Sequence, residues 1–187
     1  MASRQTTRKR KRSNTPKSPS DKKSRIEIAP YSYQPLDKDQ RQIRIFELLF
    51  PGQPNDELCG KLMTTDPESR PEYDAVSYVW GDTSLCSHVR IDGQRLPVAQ
   101  NSQKALNAIR LTCQSRVLWV DAICINQGDI HERGYQVQLM RLVFTNARVV
   151  RVWLDQELFL SRSLLFHLPR GTLDPQPLLF FDHAILY

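Results

Sequence analysis

The sequence lacks most of the patterns that assign a protein directly to a known chemistry. No stretch of its 187 residues approaches about 18 uninterrupted apolar positions, so no membrane-spanning helix is predicted. No apolar segment follows the N-terminal charges, which argues against a secretory signal. The glycine-rich G-x-G-x-x-G and P-loop patterns are absent, as is the G-x-S-x-G nucleophile elbow. Nucleotide binding or serine hydrolysis of those types is therefore not encoded in a recognisable form.

Cysteine and histidine are also scarce and scattered. None of the four cysteines forms a C-x-x-C pair, and Cys86 and His88 are the only close cysteine–histidine pair. A structural zinc site needs four ligands, usually in two tight pairs, so zinc is not expected. No other metal and no cofactor is predicted from the sequence. Without a secretory signal the compartment is expected to be reducing, so disulfides are not expected either.

Cys124 lies in the apolar run 122–125, where two interpretations compete. As a nucleophile it would act with His131 and Asp121. As a small core residue it would be buried and inert. The second interpretation is favoured because free cysteine is among the most buried residue types.

The basic charge is confined to the N-terminus. The whole chain carries a net charge of +6, but residues 1–25 hold ten basic side chains against one acidic one, a net of +9. The remaining 162 residues are therefore net acidic, at −3. Residues 1–30 form a tail rich in Ser, Thr and Pro with few apolar side chains, which predicts disorder. The acidic body argues against nucleic-acid binding, which only the tail would support.

Two short basic clusters in the tail resemble a bipartite nuclear-import signal, which acidic grooves of an import receptor bind. Thr15-Pro16 and Ser18-Pro19 lie in the spacer, where phosphorylation would weaken the signal. The alternative is a solvated tail that touches phosphates without specificity. A nuclear or cytoplasmic location is therefore expected. The residues of the signal are Arg8, Lys9, Arg10, Lys11, Arg12, Lys22, Lys23 and Arg25.

Hydrophobic patterning predicts an α/β body. Apolar, β-branched and aromatic runs predict strands, and the Asp92-Gly93 link between two extended runs predicts a hairpin with a type I′ turn. The alternation of strands and helices that follows is typical of a mainly parallel sheet with flanking helices. The predicted strands cover residues 43–50, 58–63, 75–80, 89–91, 94–98, 117–121 and 149–154. The first of them is also compatible with a short helix.

The first predicted helix follows the hairpin. Asn101 is expected to cap it, and the helix is expected to run to about Cys113. Ala105, Ile109 and Cys113 lie on one predicted apolar stripe.

The second predicted helix runs from about residue 130 to residue 146. Asp129 and Glu132 fit a capping box at its start. Its predicted apolar face consists of Val137, Met140 and Phe144.

The three tryptophans share one W-x-D context, each at the end of a predicted strand. The carboxyl ends of parallel strands lie along one edge of a sheet, where open α/β sheets bind ligands. The start of the second helix would add N–H groups suited to an anion. Alternatively, the tryptophans pack the core and the polar residues only form caps and turns. The candidate edge residues are Trp80, Gly81, Asp82, Trp119, Asp121, Asn126, Gln127, Asp129, His131, Glu132 and Arg133.

Two long segments carry a resemblance to a known family. Residues 73–82, YDAVSYVWGD, closely resemble the Y-x-A-L-S-Y-V-W-G-D motif of the fungal heterokaryon-incompatibility (HET) domain. Residues 118–127, LWVDAICINQ, are similar to its second motif. The resemblance defines a HET-like domain over residues 31–155, with its core at 73–155. Asp155 stands where the family usually has glycine, so the third W-x-D is a departure from the family pattern.

The resemblance implies a role in fungal nonself recognition, in which fusion of incompatible cells triggers growth arrest or programmed cell death. It implies protein partners, namely incompatibility or signalling proteins. HET domains are also likened to TIR domains, which are flavodoxin-like modules, some of which hydrolyse NAD. Such an activity would need a catalytic carboxylate, for which Glu132 and Asp121 are the candidates. A HET-type signalling module is the leading hypothesis, with TIR-like hydrolysis and nucleic-acid binding through the tail as alternatives.

The resemblance leaves residues 156–187 unassigned. Family members continue with more sheet and a further motif, whereas this segment is densely apolar from Leu158 to Leu168 without a clear period. This pattern predicts a domain that is truncated at its C-terminus.

Overall fold

A computed structural model of the chain describes residues 28–52, 56–82, 86–154 and 164–169. Within these residues, eight strands form one sheet in the order β5-β4-β2-β1-β6-β3-β7-β8. The basic tail and the import signal predicted in it lie outside the described residues. The strands are β1 Ile43–Leu48, β2 Cys59–Thr65, β3 Asp74–Tyr78, β4 Cys86–Ile91, β5 Gln94–Ala99, β6 Arg116–Trp119, β7 Val149–Leu154 and β8 Leu164–Pro169. The helices are α1 Gln100–Ile109, α2 Asp121–Cys124 and α3 Ile130–Asn146.

The α/β class predicted from the sequence is confirmed. Strands β6, β3 and β7 run parallel in neighbouring positions, as the alternation of strands and helices predicted. Strands β2 and β4 are also parallel, whereas β1–β2, β1–β6, β4–β5 and β7–β8 pair antiparallel. The sheet as a whole is therefore mixed rather than mainly parallel as predicted, because the antiparallel pairs outnumber the parallel ones. Strand β8 lies in the segment that the sequence left unassigned.

The predicted hairpin is confirmed with its turn. Strands β4 and β5 pair antiparallel up to Ile91 and Gln94, which leaves Asp92 and Gly93 as the two-residue link. Both link residues have positive φ, 50° and 81°. A type I′ turn requires this conformation, and Asp-Gly adopts it readily.

The predicted cap and end of the first helix are wrong. Helix α1 begins at Gln100 after Ala99, which makes no side-chain capping bond. Asn101 lies inside the first turn, and its Nδ2 donates to the Val79 carbonyl at 3.2 Å. The helix ends at Ile109 because Arg110 is extended, with ψ 132°.

The apolar stripe predicted for this helix is correct for the two of its three residues that lie within α1. Ala105 and Ile109 are buried, whereas Cys113 lies beyond the helix and is exposed. Arg110 turns its guanidinium away from the helix and donates through Nε to the Leu49 carbonyl at 2.9 Å. That bond ties the end of α1 to the end of β1.

Helix α3 has the predicted bounds, but only half of the predicted capping box. Asp129 Oδ1 accepts from the amides of His131 and Glu132, which satisfies two donors of the first turn. Glu132 does not return a bond to the Asp129 amide. Its carboxylate accepts instead from the Asn126 amide and from Arg44.

The predicted apolar face of α3 is displaced by part of a turn. Val137 is exposed, and Met140 is only half-buried. The buried face repeats every three to four positions, as a helix requires, but it includes polar residues that hydropathy alone does not select. Its members are Glu132, Gln136, Leu139, Val143 and Phe144.

Helices α1 and α3 cover opposite faces of the sheet. Tyr78, on β3, bonds Ser102 of α1 through its hydroxyl. Tyr73, just before β3 and of opposite parity, donates to the Val143 carbonyl of α3 at 2.6 Å. Successive side chains of a strand alternate between faces, so the two helices bury both sides of the central strands. Within the described residues, no helix combines the length and apolarity needed to cross a bilayer.

Candidate functional site

The carboxyl ends of β3 and β6 meet at Asp121. Trp80 donates through its indole N–H to Asp121 Oδ2 at 2.8 Å. Tyr78 donates through its hydroxyl to Oδ1 at 3.0 Å, and the Ala122 amide donates to the same oxygen at 2.7 Å. Both carboxylate oxygens therefore hold protein donors. We call Tyr78, Trp80, Ser102 and Asp121 the motif junction, because it joins the two sequence motifs.

The neighbouring bonds extend the motif junction to α1. Because the Tyr78 hydroxyl donates to Asp121, the Ser102 hydroxyl supplies the proton of the 2.8 Å bond between Tyr78 and Ser102. Gln127 Nε2 donates to the Asp121 carbonyl at 2.9 Å, which also ties down the loop after α2.

Gly81 is needed for close packing at this edge. Its φ is 67°, a conformation that side chains with a β-carbon rarely adopt. A β-carbon there would lie 2.4 Å from Nδ2 of Asn101, whose amide bonds the Val79 carbonyl. The W-G step of the first motif thus allows α1 to approach the strand end.

Burial raises the pKa of the Asp121 carboxyl, and the hydrogen bonds from Trp80, Ala122 and Tyr78 oppose that rise. Burial also raises the pKa of the Tyr78 hydroxyl well above its usual range, and the Asp121 charge adds to the effect. Tyr78 therefore stays protonated as a donor. Asp121 is held as an acceptor of three protein hydrogen bonds, which is the arrangement of a structural anchor.

Glu132, the other catalytic candidate, is paired with a buried arginine. Arg44 Nη1 lies 2.6 Å from Glu132 Oε1, and Arg44 Nη2 lies 3.0 Å from Oε2. The two side chains are 3% and 9% exposed. Glu132 Oε1 also accepts from the Asn126 amide at 2.7 Å. The carboxylate is therefore committed to joining β1, the loop before α3 and α3 itself.

Arg44 gathers further groups around this pair. Its guanidinium donates to the carbonyls of Cys124 and Gln34, and it lies 4.8 Å from the ring centroid of Tyr33. The Tyr33 hydroxyl in turn donates to the Ile123 carbonyl at 2.9 Å. Arg44 was not among the site residues predicted from the sequence. A charged residue between two isoleucines in a strand is the signal that could have identified it, since a buried charge requires a partner.

The remaining edge candidates are divided between core, turn and surface. Trp119 is fully buried and packs edge to face on Phe144 of α3, so it lies away from the motif junction. Asn126 forms a turn by accepting from the Gly128 amide at 3.2 Å. The exposed candidates are Gly81, Asp82, Asp129, His131 and Arg133.

Cys124 is a buried core residue, as the favoured interpretation predicted. It has no exposed surface, and burial raises the pKa of its thiol to about 12. His131 is exposed at the start of α3 and forms no pair with it. A thiol that stays protonated is a poor nucleophile. Among the described residues, no three His, Cys, Asp or Glu side chains are grouped to hold a metal.

The fold and the motif junction define an α/β domain with two motifs joined at the carboxyl edge of parallel strands. The family model described as heterokaryon incompatibility protein (HET) matches residues 73–173, more than half of the chain. The chain belongs to the heterokaryon-incompatibility (HET) family. The match reaches β8, beyond the boundary at residue 155 that the motifs predicted.

One curated relative is heterokaryon incompatibility protein 6, OR allele, of Neurospora crassa. It is 30% identical over 142 residues, which cover 66% of this chain and 20% of that protein. The chain therefore spans about a fifth of the length of the curated relative it matches. No solved structure matches the chain.

Proposed function

We propose that this chain is a HET-type signalling module that acts through protein contacts in fungal nonself recognition. Its output would be growth arrest or programmed cell death. The observation that carries the proposal is the motif junction, in which Trp80 and Tyr78 of the first motif bond Asp121 of the second. The name of the Neurospora relative, heterokaryon incompatibility protein 6, supports an incompatibility role.

The motif junction favours a binding module over an enzyme. The polar groups of Tyr78, Trp80 and Asp121 are used within the protein, where they hold the strand ends and α1 together. The residues around it present a surface, and Val79 is 37% exposed at the strand end. An edge of fixed shape with exposed apolar and charged residues is suited to contact with a partner protein.

The test is inducible expression of the full chain in a filamentous fungus. We expect the wild-type chain to arrest growth and increase vital-dye uptake. Trp80→Phe removes the indole donor to Asp121 and is expected to weaken the arrest. Val137→Ala, at an exposed position of α3, is the matched control and is expected to act like wild type. Immunoblots of the soluble fraction ensure that equal amounts of folded protein are compared.

Two results would overturn the proposal. Normal growth in the presence of abundant soluble wild-type chain would remove the effector role. Equal arrest by wild type and a soluble Trp80→Phe variant would show that the motif junction does not carry the activity.

NAD hydrolysis is the alternative that the same protein preparation tests. Glu132, the helix carboxylate it would need, has both oxygens bonded to Arg44, which argues against its use in catalysis. We expect no nicotinamide release from NAD above that of a protein-free blank. Release by wild type that is lost in a folded Glu132→Gln variant would favour the enzyme.

We further propose that the basic tail directs the chain to the nucleus through an import receptor. The support is the distribution of charge along the chain, since residues 1–25 have a net charge of +9 and the remaining residues have a net charge of −3. Deleting residues 1–25 from a fluorescently tagged chain is expected to shift it to the cytoplasm. Replacing the same residues with a neutral spacer of equal length controls for the loss of length. Nuclear retention of both variants would contradict import through the tail.

A further inference from the structure

A second charged cluster lies at the opposite edge of the central strands. Asp74, the first residue of β3, is fully buried and is bonded by three arginines. Arg148 Nε donates to Oδ1 at 3.0 Å. Arg151 Nε and Arg116 Nη1 donate to Oδ2 at 2.7 and 3.2 Å. We call these four residues the arginine cluster.

Strand register gathers this cluster on one face of the sheet. Asp74 is the Cα partner of Leu118 on β6 and of Val149 on β7. Arg116 and Arg151 each lie two positions from those partners, so their side chains point to the same face as Asp74. The cluster lies at the amino ends of the parallel strands, whereas the motif junction lies at their carboxyl ends. The two sites are therefore distinct.

Within the arginine cluster, three guanidinium groups share the one carboxylate of Asp74. Burial lowers the pKa of Arg116, and the charge of Arg151 lowers it further, while Asp74 only partly offsets both effects. The Nε of Arg116 is also buried without a hydrogen-bond partner. An unsatisfied donor on a buried cation costs free energy that an added anion would recover.

Access to the cluster comes through Arg148. Its side chain is 57% exposed, whereas those of Arg116 and Arg151 are 13% and 8% exposed. A ligand that approaches from solvent would therefore meet Arg148 first and reach Arg116 behind it. Guanidinium groups bind oxyanions through paired, charge-assisted hydrogen bonds.

We propose that the arginine cluster binds a phosphate group, with Arg148 and Arg116 as its ligands and Asp74 and Arg151 as the residues that position them. A dianionic phosphate offers several acceptor oxygens, which the exposed guanidinium of Arg148 and the unpartnered Nε of Arg116 can bond. The phosphate comes from a nucleotide or from a phosphorylated protein. This site is independent of the proposed signalling function, since it shares no residue with the motif junction.

The experiment is a titration of the purified full chain with inorganic phosphate at pH 7.5. Sodium chloride keeps the ionic strength constant, and calorimetry and the melting temperature are both measured. We expect saturable binding and a rise in melting temperature that chloride alone does not produce. Arg148→Gln is expected to weaken binding about tenfold or more, since a hydrogen bond to a charged group contributes roughly that factor. The variant should still fold, because the Arg148 side chain is 57% exposed and Asp74 keeps Arg116 and Arg151 as partners.

The matched control is Arg141→Gln, an exposed arginine on α3 at the other face of the sheet. It is expected to bind phosphate as wild type does. The proposal is overturned if phosphate acts no differently from chloride, or if Arg148→Gln and Arg141→Gln bind equally. Adenosine monophosphate and phosphoserine, each compared with its unphosphorylated parent, then separate the two sources. Preference for either one supports the site and identifies the source.

Discussion

Replacing Glu132 by leucine tests whether this carboxylate is structural. The substitution leaves Arg44 buried without its counter-charge, because the Arg44 and Glu132 side chains are only 3% and 9% exposed. It also removes the acceptor of the Asn126 amide. Arg44 keeps the carbonyls of Cys124 and Gln34, which limits the loss but does not neutralise the charge.

The expected cost is large for a domain of this size. Removing one partner of a buried ion pair costs about 3–5 kcal/mol, because the remaining charge is uncompensated. Domains are stable by about 5–15 kcal/mol, so the variant loses a substantial part of the free energy of unfolding. The melting temperature should fall by roughly 6–20 °C, at about 2–4 °C per kcal/mol.

The assay is denaturant unfolding followed by circular dichroism. The double variant Arg44→Met with Glu132→Leu removes both charges. It is expected to be more stable than Glu132→Leu alone, because an apolar pair of similar volume often replaces a buried ion pair at little cost. The resulting double-mutant cycle isolates the coupling between the two side chains. Arg133→Ala, at the exposed neighbouring position, is the control and should lie within about 0.5 kcal/mol of wild type.

Two outcomes would refute this reasoning. The first is a Glu132→Leu variant within about 1 kcal/mol of wild type, which would mean that the pair is not stabilising. The second is a double variant that is as unstable as the sum of the single variants, which would remove the coupling.

Three further predictions follow from local geometry. Asp129→Ala should lower the melting temperature at pH 7, because the hydrogen bonds from the Glu132 and His131 amides hold the pKa of Asp129 below its ordinary value. This stabilisation is present above the pKa that the carboxyl has in the unfolded state, and it is lost as the pH falls through the lower pKa of the folded state. The melting temperatures of wild type and variant, measured as a function of pH, should therefore converge in acid. At pH 8 a thiol reagent should label the exposed Cys113 and spare the buried Cys124, and peptide mapping would locate the label. With a pKa of about 12, roughly one in ten thousand Cys124 thiols is ionised at that pH. Gly60→Ala should reduce stability by about 1–3 kcal/mol or prevent folding, because a β-carbon there would overlap the Phe46 ring and the Glu47 carbonyl. Gly134→Ala, in open space on α3, should instead stabilise the protein by about 0.5–1 kcal/mol. Equal denaturation midpoints for the two variants would contradict both expectations.

Sequence patterns predicted the elements well where the decisive interactions are local. The Asp92-Gly93 turn, the bounds of α3 and the Asp129 cap each depend on residues within a few positions of one another. The cap of α1 was predicted incorrectly because Asn101 bonds a carbonyl 22 positions earlier in the chain rather than its own helix. A polar residue near a helix start has the same local pattern in both cases.

The sequence predicted candidate edge residues but not the contacts between them. Trp80 and Asp121 were both named as edge residues, but their direct bond joins positions 41 apart and depends on β3 and β6 becoming parallel neighbours. Trp119 has the same local context as Trp80 and packs in the core instead. Neighbouring residues along a strand point to opposite faces, so only the register decides which group reaches the edge.

The family motifs, the α/β class and the separation of a basic tail from an acidic body can be read from composition and periodicity alone. The roles of the charged residues follow instead from strand order and helix packing. Arg44 meets Glu132 across 88 positions, and Asp74 meets Arg148 across 74. Such pairs form because strand order and helix packing place them together, and a buried charge is tolerated only where that packing supplies its partner.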